Sequence, residues 1–335
     1  MASLSPKDIT IAITVYDRRE YINQAIGSAL AQHCAERPQV IVVEDCGPDT
    51  RLRESLLAEF GNQIIYYRNQ RRRGLFDNWN ACLEVCATPW LCILHDDDFL
   101  EPTFIESMIE LAEAAPDRAL YYGVCDVIDA AGYYLIEKPR STTFAWHELD
   151  LEDWARCDPV CFPGQLFNVA AARALGGFRS ASRYCADWEM WFKLTLTHGS
   201  AATNRVVATY REHHSIGRGT TKVDISGRKY ACGNMQRKRH IAWLSKLRPN
   251  LRFDRKSFQA KSPIPSRFIL QYGYRFSPRM LRYNAGLMQI SAAPHLGYWI
   301  FQMLSRVLPW QSLRMVSWLL HWMPSRYDSP ANKST

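Results

Sequence analysis

Three consecutive aspartates, Asp96-Asp97-Asp98, directly follow an apolar segment and a histidine in this chain. The segment 90–94 (Trp-Leu-Cys-Ile-Leu) is a short continuous apolar run, which is typical of a buried strand. Carboxylates crowded at a strand end repel one another unless a cation or hydrogen-bond donors neutralise them. Carboxylate oxygens suit Mg²⁺ or Mn²⁺, and these cations bind phosphates. The run therefore predicts a sheet with a metal–phosphate site at one edge. An acidic loop or a helix start is the alternative.

Apolar runs typical of strands alternate with segments of helical spacing along the first 124 residues. The predicted strands are 9–16, 40–43, 63–67, 90–94 and 119–124, and the predicted helices are 18–33, 52–60, 77–85 and 104–115. This alternation predicts an α/β fold with a mostly parallel sheet flanked by helices. Ligands of such sheets bind beyond the carboxyl ends of the strands. Polar clusters at three of these ends are expected to lie close together: Thr14/Tyr16/Asp17, Glu44/Asp45 and Asp96–Asp98.

The charge of the chain is unevenly divided along its length. Residues 1–204 contain 18 Lys and Arg against 29 Asp and Glu, whereas residues 205–282 contain 19 against 3. An acidic body followed by a basic appendage indicates two parts with separate roles. The basic part suits nucleic acid, an anionic lipid surface or a phosphate-bearing substrate.

The cysteines and the N-terminus bear on localisation. The ten cysteines lie mostly in apolar segments and complete no zinc-binding pattern, which favours a reducing cytosol. The first eight residues lack the apolar core of a signal peptide, so a cytoplasmic protein is expected.

Four motifs in this order resemble those of the family 2 glycosyltransferases, over roughly residues 8–215. They are Thr14-Val15-Tyr16, then Val42-Val43-Glu44-Asp45, then Tyr67-Arg68-Asn69 with Gly74 and Asn78, and then His95-Asp96-Asp97-Asp98. The resemblance implies a GT-A fold, with a Rossmann-like, mostly parallel sheet. It also implies a UDP-, GDP- or dTDP-sugar donor, a Mn²⁺ or Mg²⁺ cofactor and an inverting transfer.

The first two motifs are expected to bind the nucleotide, as the resemblance implies. Thr14 can hydrogen-bond the base or ribose through its hydroxyl, and the ring of Tyr16 can stack. Asp45 matches the acidic residue that holds the base, with Glu44 beside it. The alternatives are a core position for Tyr16 and capping of the following helix by Asp45.

The loop after the third strand is expected to approach the diphosphate. Gly74 permits a close backbone approach, and Arg73 can donate charge-assisted hydrogen bonds to phosphate. Asn78 is expected on the nucleotide or ribose side, and Asp96 is expected to contact the sugar nucleotide. The alternatives are a solvated patch for the arginines at 71–73 and a plain helix surface for Asn78.

The acidic motif departs from the common family pattern. Pro102 sets the register, which makes Asp98 the final Asp, Asp97 the second Asp of the motif and His95 the occupant of the first position. The resemblance therefore implies that Asp97 and Asp98 bind the metal, with Asp96 as an alternative ligand. His95 is expected to contact the donor as a neutral, hydrogen-bonding side chain.

Two further segments resemble functional parts of the family. Asp187 matches the general base that deprotonates the acceptor hydroxyl, and Ala186 replaces the Glu before it. The alternative is that Asp187 caps a helix over 187–197, with Glu189 in its first turn. His213 and His214 lie where a loop closes over the donor and are expected to contact it, with an ordinary surface position as the alternative.

Residues 216–335 match no family motif and are predicted to be a mainly helical, basic and Trp-rich region. From 298 to 323, apolar residues and four tryptophans are interrupted by Arg306, Pro309 and Arg314. This pattern favours peripheral attachment to the inner face of the cell membrane. A helix pair packed on residues 1–215 and a dimer face are the alternatives. Residues 328–335 are predicted to be a disordered tail.

The sequence as a whole predicts an inverting glycosyltransferase, with a catalytic domain over 1–215 and an appendage over 216–335. The predicted acceptor is a hydroxyl of a growing cell-surface polysaccharide or of a lipid-linked glycan. A nucleotidyltransferase would account for Asp96–Asp98 but not for Asp187. A nucleic-acid-binding protein would use the basic segment but leave the acidic strand ends without a role. An inactive transferase is a further alternative, because His95 and Ala186 depart from the family pattern.

Overall fold

The computed structural model of this chain describes residues 4–141, 143–213 and 228–247. The chain divides into two units, Met1–His214 and Ser215–Thr335. The catalytic and membrane-attachment roles predicted for the two parts stay predictions.

The first unit contains ten strands and seven α-helices among its described residues. The strands are β1 (Ile9–Val15), β2 (Gln39–Glu44), β3 (Ile65–Arg68), β4 (Trp90–His95), β5 (Phe99–Leu100), β6 (Leu120–Ile128), β7 (Tyr134–Ile136), β8 (Trp146–His147), β9 (Gln165–Asn168) and β10 (Ser200–Arg211). The helices are α1 (Ile22–Leu30), α2 (Leu52–Phe60), α3 (Leu75–Val85), α4 (Phe104–Ala114), α5 (Leu151–Arg156), α6 (Val169–Ala174) and α7 (Ala186–His198).

The strands form one sheet in the order β3-β2-β1-β4-β9-β6-β10-β5, with β7 beside β6 and β8 beside β10. Strand β1 runs parallel to both β2 and β4, and β6 runs parallel to β10. Strand β9 is antiparallel to both β4 and β6, so β4 and β6 point the same way. The carboxyl ends of β1, β2, β4 and β6 therefore lie at one edge of the sheet. The predicted α/β fold with a mostly parallel sheet is confirmed.

The centre of the sheet is covered on both faces. Every residue of β1 is buried, and four consecutive residues of β4 are buried. Near-continuous apolar strands of this kind are typical of parallel sheets sandwiched between helices. Helices α1 and α4 supply part of the cover through Ile22, Ile26, Phe104 and Met108.

All nine predicted elements are present, but some bounds and several strands differ from the sequence prediction. Helix α1 begins at Ile22 rather than residue 18, because residues 17–21 form the turn that leaves β1. Strand β9 was not predicted, since its four residues follow a turn at 162–164 and gain their hydrogen bonds only from distant β4 and β6. The sequence analysis does not predict strands β5, β7, β8 and β10 either.

The second unit is described over one helix, α8 (Arg228–Leu247). The basic segment Arg237–His240 lies on this helix. Within the described part of the chain, no helix combines the length and the apolar character needed to cross a membrane. The predictions for His214, for the Trp-rich segment 298–323 and for the tail 328–335 lie outside the described residues.

Candidate functional site

The ends of β1 and β2 are joined closely at the carboxyl edge. The Asp45 backbone N–H donates to the Val15 carbonyl over 2.8 Å. A Cβ atom at Gly47 would fall 1.8 Å from the Tyr16 carbonyl oxygen, so only glycine fits at this contact. Thr14 pairs with His95 across the β1–β4 register, and the Thr14 hydroxyl donates to the Leu94 carbonyl over 3.5 Å. The fold thus brings the polar clusters together.

Asp45 organises the loop that precedes α3. Its carboxylate accepts hydrogen bonds from the backbone N–H of Arg73 over 2.6 Å and from that of Gly74 over 2.8 Å. Gly74 has φ of 87°, a left-handed conformation that favours glycine. The alternative that Asp45 caps the following helix is wrong, because Arg51 is the N-cap of α2. Contact of Asp45 with a base stays a prediction.

Asn78 lies inside this network rather than on the helix surface. It is 4% exposed, and its side chain accepts from the Asn69 amide over 2.8 Å and donates to the Val43 carbonyl over 3.3 Å. The plain-surface alternative is therefore wrong. Asn69 had no role assigned from the sequence. Its side-chain amide also donates to Asp45 Oδ1 over 3.2 Å, so it links Asn78 to Asp45.

The arginines of this loop have separate partners. The Arg72 guanidinium lies 4.0 Å from the centre of the Tyr16 ring, which is half-buried rather than in the core. The Arg73 guanidinium forms two 2.6 Å hydrogen bonds with Glu84 on α3. The predicted contact of Arg73 with phosphate would require it to leave Glu84.

His95 is held in an aromatic cluster behind the acidic run. Its ring stacks on Phe162 with centroids 4.2 Å apart, and Trp79 donates from Nε1 to His95 Nε2 over 3.2 Å. Burial lowers the pKa of His95 to about 4, so the ring is neutral at pH 7. Because Nε2 accepts from Trp79, the proton of the neutral ring sits on Nδ1, which faces Asp98 Oδ2 at 3.6 Å.

Asp97 has two cationic or imidazole neighbours. Arg18 Nη1 forms an ion pair with Asp97 Oδ2 and lies 3.8 Å from Asp96 Oδ1. His213 Nε2 lies 3.0 Å from the same Asp97 oxygen and 3.2 Å from Arg18 Nη1. His213, predicted as a donor-loop residue, follows the end of β10 and contacts the acidic run that follows β4. Its contact with a donor stays a prediction.

Asp98 is the most deeply buried member of the acidic run. Its Oδ1 accepts from the Arg211 backbone N–H over 2.8 Å, whereas Oδ2 has no hydrogen-bond partner among the described residues. Burial raises the pKa of Asp98 to about 7 and that of Asp96 to about 6. The cluster is therefore short of positive charge for its carboxylates.

These residues fit a divalent cation. One ligand atom from each of His95, Asp97 and Asp98 lies within 4.8 Å of the others. The buried, unpartnered Asp98 oxygen is the observation that favours a cation here, since such an atom is costly to leave unsatisfied. The carboxylates are the better ligands, because Trp79 fixes the His95 proton on Nδ1. The structure identifies no particular ion.

Asp187 lies in the first turn of α7. Helix α7 begins at Ala186 with Cys185 as its N-cap, so the alternative that Asp187 is the N-cap is wrong. Its Oδ1 accepts from the Trp188 backbone N–H over 2.8 Å. Asp187 is near enough to His95 for its negative charge to act on the imidazole. The role of Asp187 as a base stays a prediction.

Glu189, one turn inside α7, is a structural residue. Its carboxylate accepts from Arg179 over 2.9 and 2.8 Å, from Lys193 over 2.8 Å and from the Ser182 hydroxyl. These bonds lower the pKa of Glu189 to about 2 despite its burial.

Two arginines of the site were missed by sequence reasoning. Arg18 lies two residues after Tyr16, and its position shortly after the end of β1 was the available signal. Arg211 ends β10 and donates from Nε to the Asp97 carbonyl over 2.9 Å and from Nη2 to Gln24 over 2.7 Å. Nothing local in the sequence indicates that residue 211 returns to residues 97 and 98.

Comparisons with known proteins agree with this geometry. Residues 10–161 match the family model described as Glycosyl transferase family 2. A glycosyltransferase of Rickettsia typhi is 24% identical over 217 residues, which cover 62% of this chain and 62% of that protein. The chondroitin synthase of Escherichia coli is 24% identical over 188 residues, which cover 56% of this chain and 26% of the synthase. The chain thus spans less than two thirds of the length of these relatives.

A solved structure shares the fold. TarS residues 1–349 of S. aureus, in complex with UDP-GlcNAc, match with a TM-score of 0.55 and 12% identity, covering 92% of this chain and 90% of that chain. At this identity the likeness concerns the fold alone. It confirms the predicted GT-A type of α/β architecture.

Proposed function

We propose, from the premise that the N-terminal part of this chain belongs to glycosyltransferase family 2, that the chain transfers a sugar from a nucleoside-diphosphate sugar to an acceptor hydroxyl. One observation carries the proposal. At the carboxyl edge of the sheet, ligand atoms of His95, Asp97 and Asp98 lie within 4.8 Å of one another, and the buried Asp98 Oδ2 has no hydrogen-bond partner within the described ranges. Such a cluster suits a cation that binds a diphosphate.

The donor side consists of the residues at the ends of β1 and β2 and of the loop before α3. The proposal assigns the nucleotide to Thr14, Tyr16, Asp45 and Asn78. It assigns the diphosphate side to Arg73, Gly74 and Asp96. The support is that Asp45 holds the Gly74 backbone through its carboxylate, so the two assigned regions are rigidly coupled. A UDP-sugar is favoured among the donors, since TarS of the same fold was solved with UDP-GlcNAc.

The cation, Mn²⁺ or Mg²⁺, would be held by Asp97 and Asp98. When bound, it neutralises negative charge on the leaving nucleoside diphosphate. Arg211 fixes this pair by holding the Asp97 carbonyl and the Asp98 carboxylate from β10. His95 stays neutral, so it adds no positive charge that would oppose a cation.

Asp187 is the proposed general base of an inverting transfer. A single displacement at the anomeric carbon needs one group that takes the proton from the acceptor hydroxyl as it attacks. The support for this role is that Asp187 lies in the first turn of α7, near enough to His95 for its charge to act on the imidazole. The acceptor is proposed to be a growing polysaccharide or a lipid-linked glycan, in line with the similarity to a chondroitin synthase.

The test is a donor screen with purified full-length protein. Release of nucleoside diphosphate is measured with UDP-, GDP- and dTDP-sugars, Mn²⁺ or Mg²⁺, and a panel of oligosaccharide acceptors. We expect Asp97→Asn and Asp187→Asn each to lower turnover by about 100-fold or more, because each removes a charge used in the transition state.

A matched control is Asp117→Asn, the same change at an exposed turn before β6, at the opposite edge of the sheet. This variant should keep full turnover. Release that is absent with every donor would refute the function. Full activity in both Asp97→Asn and Asp187→Asn would refute the assignment of the site.

A further inference from the structure

Among the arginines of the site, Arg18 is the one whose described contacts are all with the acidic run and with His213. Its guanidinium pairs with Asp97, lies 3.8 Å from Asp96 and lies 3.2 Å from His213 Nε2. Its side chain is one quarter exposed, so it reaches the cluster from the solvent side. It lies in the turn between β1 and α1, outside any regular element.

Arg211 differs from Arg18 in a way that matters. Its guanidinium is fixed by the Asp97 carbonyl, by the Gln24 side chain over 2.7 Å and by the Asp129 carbonyl over 3.4 Å. It is 5% exposed and donates to no carboxylate oxygen from its guanidinium in the described part of the chain. Arg211 thus positions the backbone of the acidic run, whereas Arg18 neutralises part of its negative charge.

Arg18 and a divalent cation would both bind the carboxylate of Asp97. Asp97 Oδ2 accepts Arg18 in this structure, and Asp97 also belongs to the group of atoms that fits a cation. Two cations at one carboxylate repel each other strongly at this depth. The arrival of the metal ion should therefore displace the guanidinium from Asp97.

The displaced Arg18 guanidinium would stay near Asp96, which the proposed function assigns to the diphosphate side. The planar guanidinium fork matches phosphate oxygens and is less strongly hydrated than an ammonium group. We propose that Arg18 is the counter-ion of Asp97 in the unliganded protein, and that it yields this carboxylate to the divalent cation and then binds the nucleoside diphosphate. This inference rests on the proposed function and adds a diphosphate-binding residue to it.

The inference predicts two effects of opposite sign for one substitution. Metal-free full-length wild type, Arg18→Ala and Arg19→Ala are each titrated with Mn²⁺ alone by calorimetry. Without its competitor, Asp97 in Arg18→Ala should bind Mn²⁺ roughly fivefold more tightly than in wild type. Arg19→Ala is the matched control, because Arg19 pairs with Asp49 instead, and its affinity for Mn²⁺ should not change.

The second titration uses UDP, GDP and dTDP in turn at saturating Mn²⁺. For the nucleotide that wild type binds, Arg18→Ala should bind about tenfold more weakly, since a charge-assisted contact is lost. Arg18→Lys retains the charge and should bind with intermediate affinity. A purely structural role of Arg18 would weaken both Mn²⁺ and nucleotide binding, so tighter Mn²⁺ binding with weaker nucleotide binding distinguishes the two roles.

The failures are separable. Mn²⁺ affinity that is unchanged or weaker in Arg18→Ala overturns the competition. Equal nucleotide affinity in wild type and Arg18→Ala overturns the diphosphate contact while the proposed function stands. If wild type binds none of the three nucleotides, the proposed function fails, and the Mn²⁺ titration still decides whether Arg18 is the counter-ion.

Discussion

Asp98 at the strand end and Glu189 on α7 are equally buried, each 1% exposed, yet their surroundings differ in the number of hydrogen-bond donors. Glu189 accepts from Arg179, Lys193 and Ser182, and these bonds lower its pKa to about 2. Asp98 accepts from one backbone N–H, and its second oxygen has no hydrogen-bond partner among the described residues. Burial therefore raises the pKa of Asp98 to about 7.

The difference separates structural from functional carboxylates. Burial penalises the ionised form of both groups by removing water, and only donors or cations can offset that penalty. Around Glu189 the protein itself supplies the compensation, so the group is complete without a ligand. Around Asp98 the compensation is missing, and a cation would provide it. Two substitutions that remove charge should consequently change stability in opposite directions.

The largest effect is expected for Glu189→Gln. The pKa of Glu189 falls from an ordinary value of 4.5 to about 2, which corresponds to about 3 kcal/mol of stabilisation by the ionised form. Glutamine would lose this term, and its amide would face the donors of Arg179 and Lys193. We expect the free energy of unfolding in urea at pH 7 to fall by about 3 kcal/mol.

The pH dependence checks the cause. A lowered pKa means that the stabilisation is complete above about 4.5 and is lost as the pH falls toward about 2. The gap between wild type and Glu189→Gln should therefore narrow over this range. A gap that is constant with pH would point to lost packing instead of lost charge. Glu106→Gln, an exposed position on α4, is the control and should change stability by less than about 0.5 kcal/mol.

A smaller effect of opposite sign is expected for Asp98→Asn in protein stripped of metal by a chelator. Because the pKa of Asp98 is raised from 3.8 to about 7, ionisation destabilises the folded state as the pH rises through this range. Asparagine keeps an oxygen for the Arg211 N–H but removes the buried charge. We expect the variant to be more stable than wild type by about 2 kcal/mol at pH 8.

Wild type and Asp98→Asn also show whether a cation offsets the destabilising charge of Asp98. The advantage of Asp98→Asn should shrink as the pH falls from about 7 to about 4, where Asp98 becomes protonated. Added Mn²⁺ should raise the melting temperature of wild type and not that of the variant. An Asp98→Asn protein that is less stable than wild type without metal would break the contrast with Glu189.

Sequence reasoning found the edge where this contrast lies but not the contrast itself. The apolar runs 9–16, 40–43 and 90–94 predict a shared edge, because the carboxyl ends of parallel strands lie together. The resemblance added a register for the acidic run. Neither source indicates how many donors surround a carboxylate, since Glu189 and Asp98 are both acidic residues beside apolar neighbours in the sequence.

The missing information is carried by contacts distant in the sequence. Arg211 reaches Asp98 across 113 positions, and His213 reaches Asp97 across 116. The Trp79 bond that fixes the His95 tautomer depends on how α3 packs on β4. Only the assembled sheet brings these groups together, so local periodicity and spacing could not have predicted the charge state of the site.

The smallest effect is expected for Glu84, whose carboxylate is 55% exposed and pairs with Arg73. Such a pair contributes at most about 1 kcal/mol, so Glu84→Gln should change stability by less than that. It should also make Arg73 easier to move toward a diphosphate, and we expect UDP affinity at saturating Mn²⁺ to rise by no more than about threefold. Arg73→Ala should lower it. Weaker UDP binding in Glu84→Gln would mean that Arg73 acts on the nucleotide while it is paired with Glu84. The Arg73–Glu84 pair would then resemble the pairing of Glu189 with Arg179, in which the protein itself compensates the carboxylate.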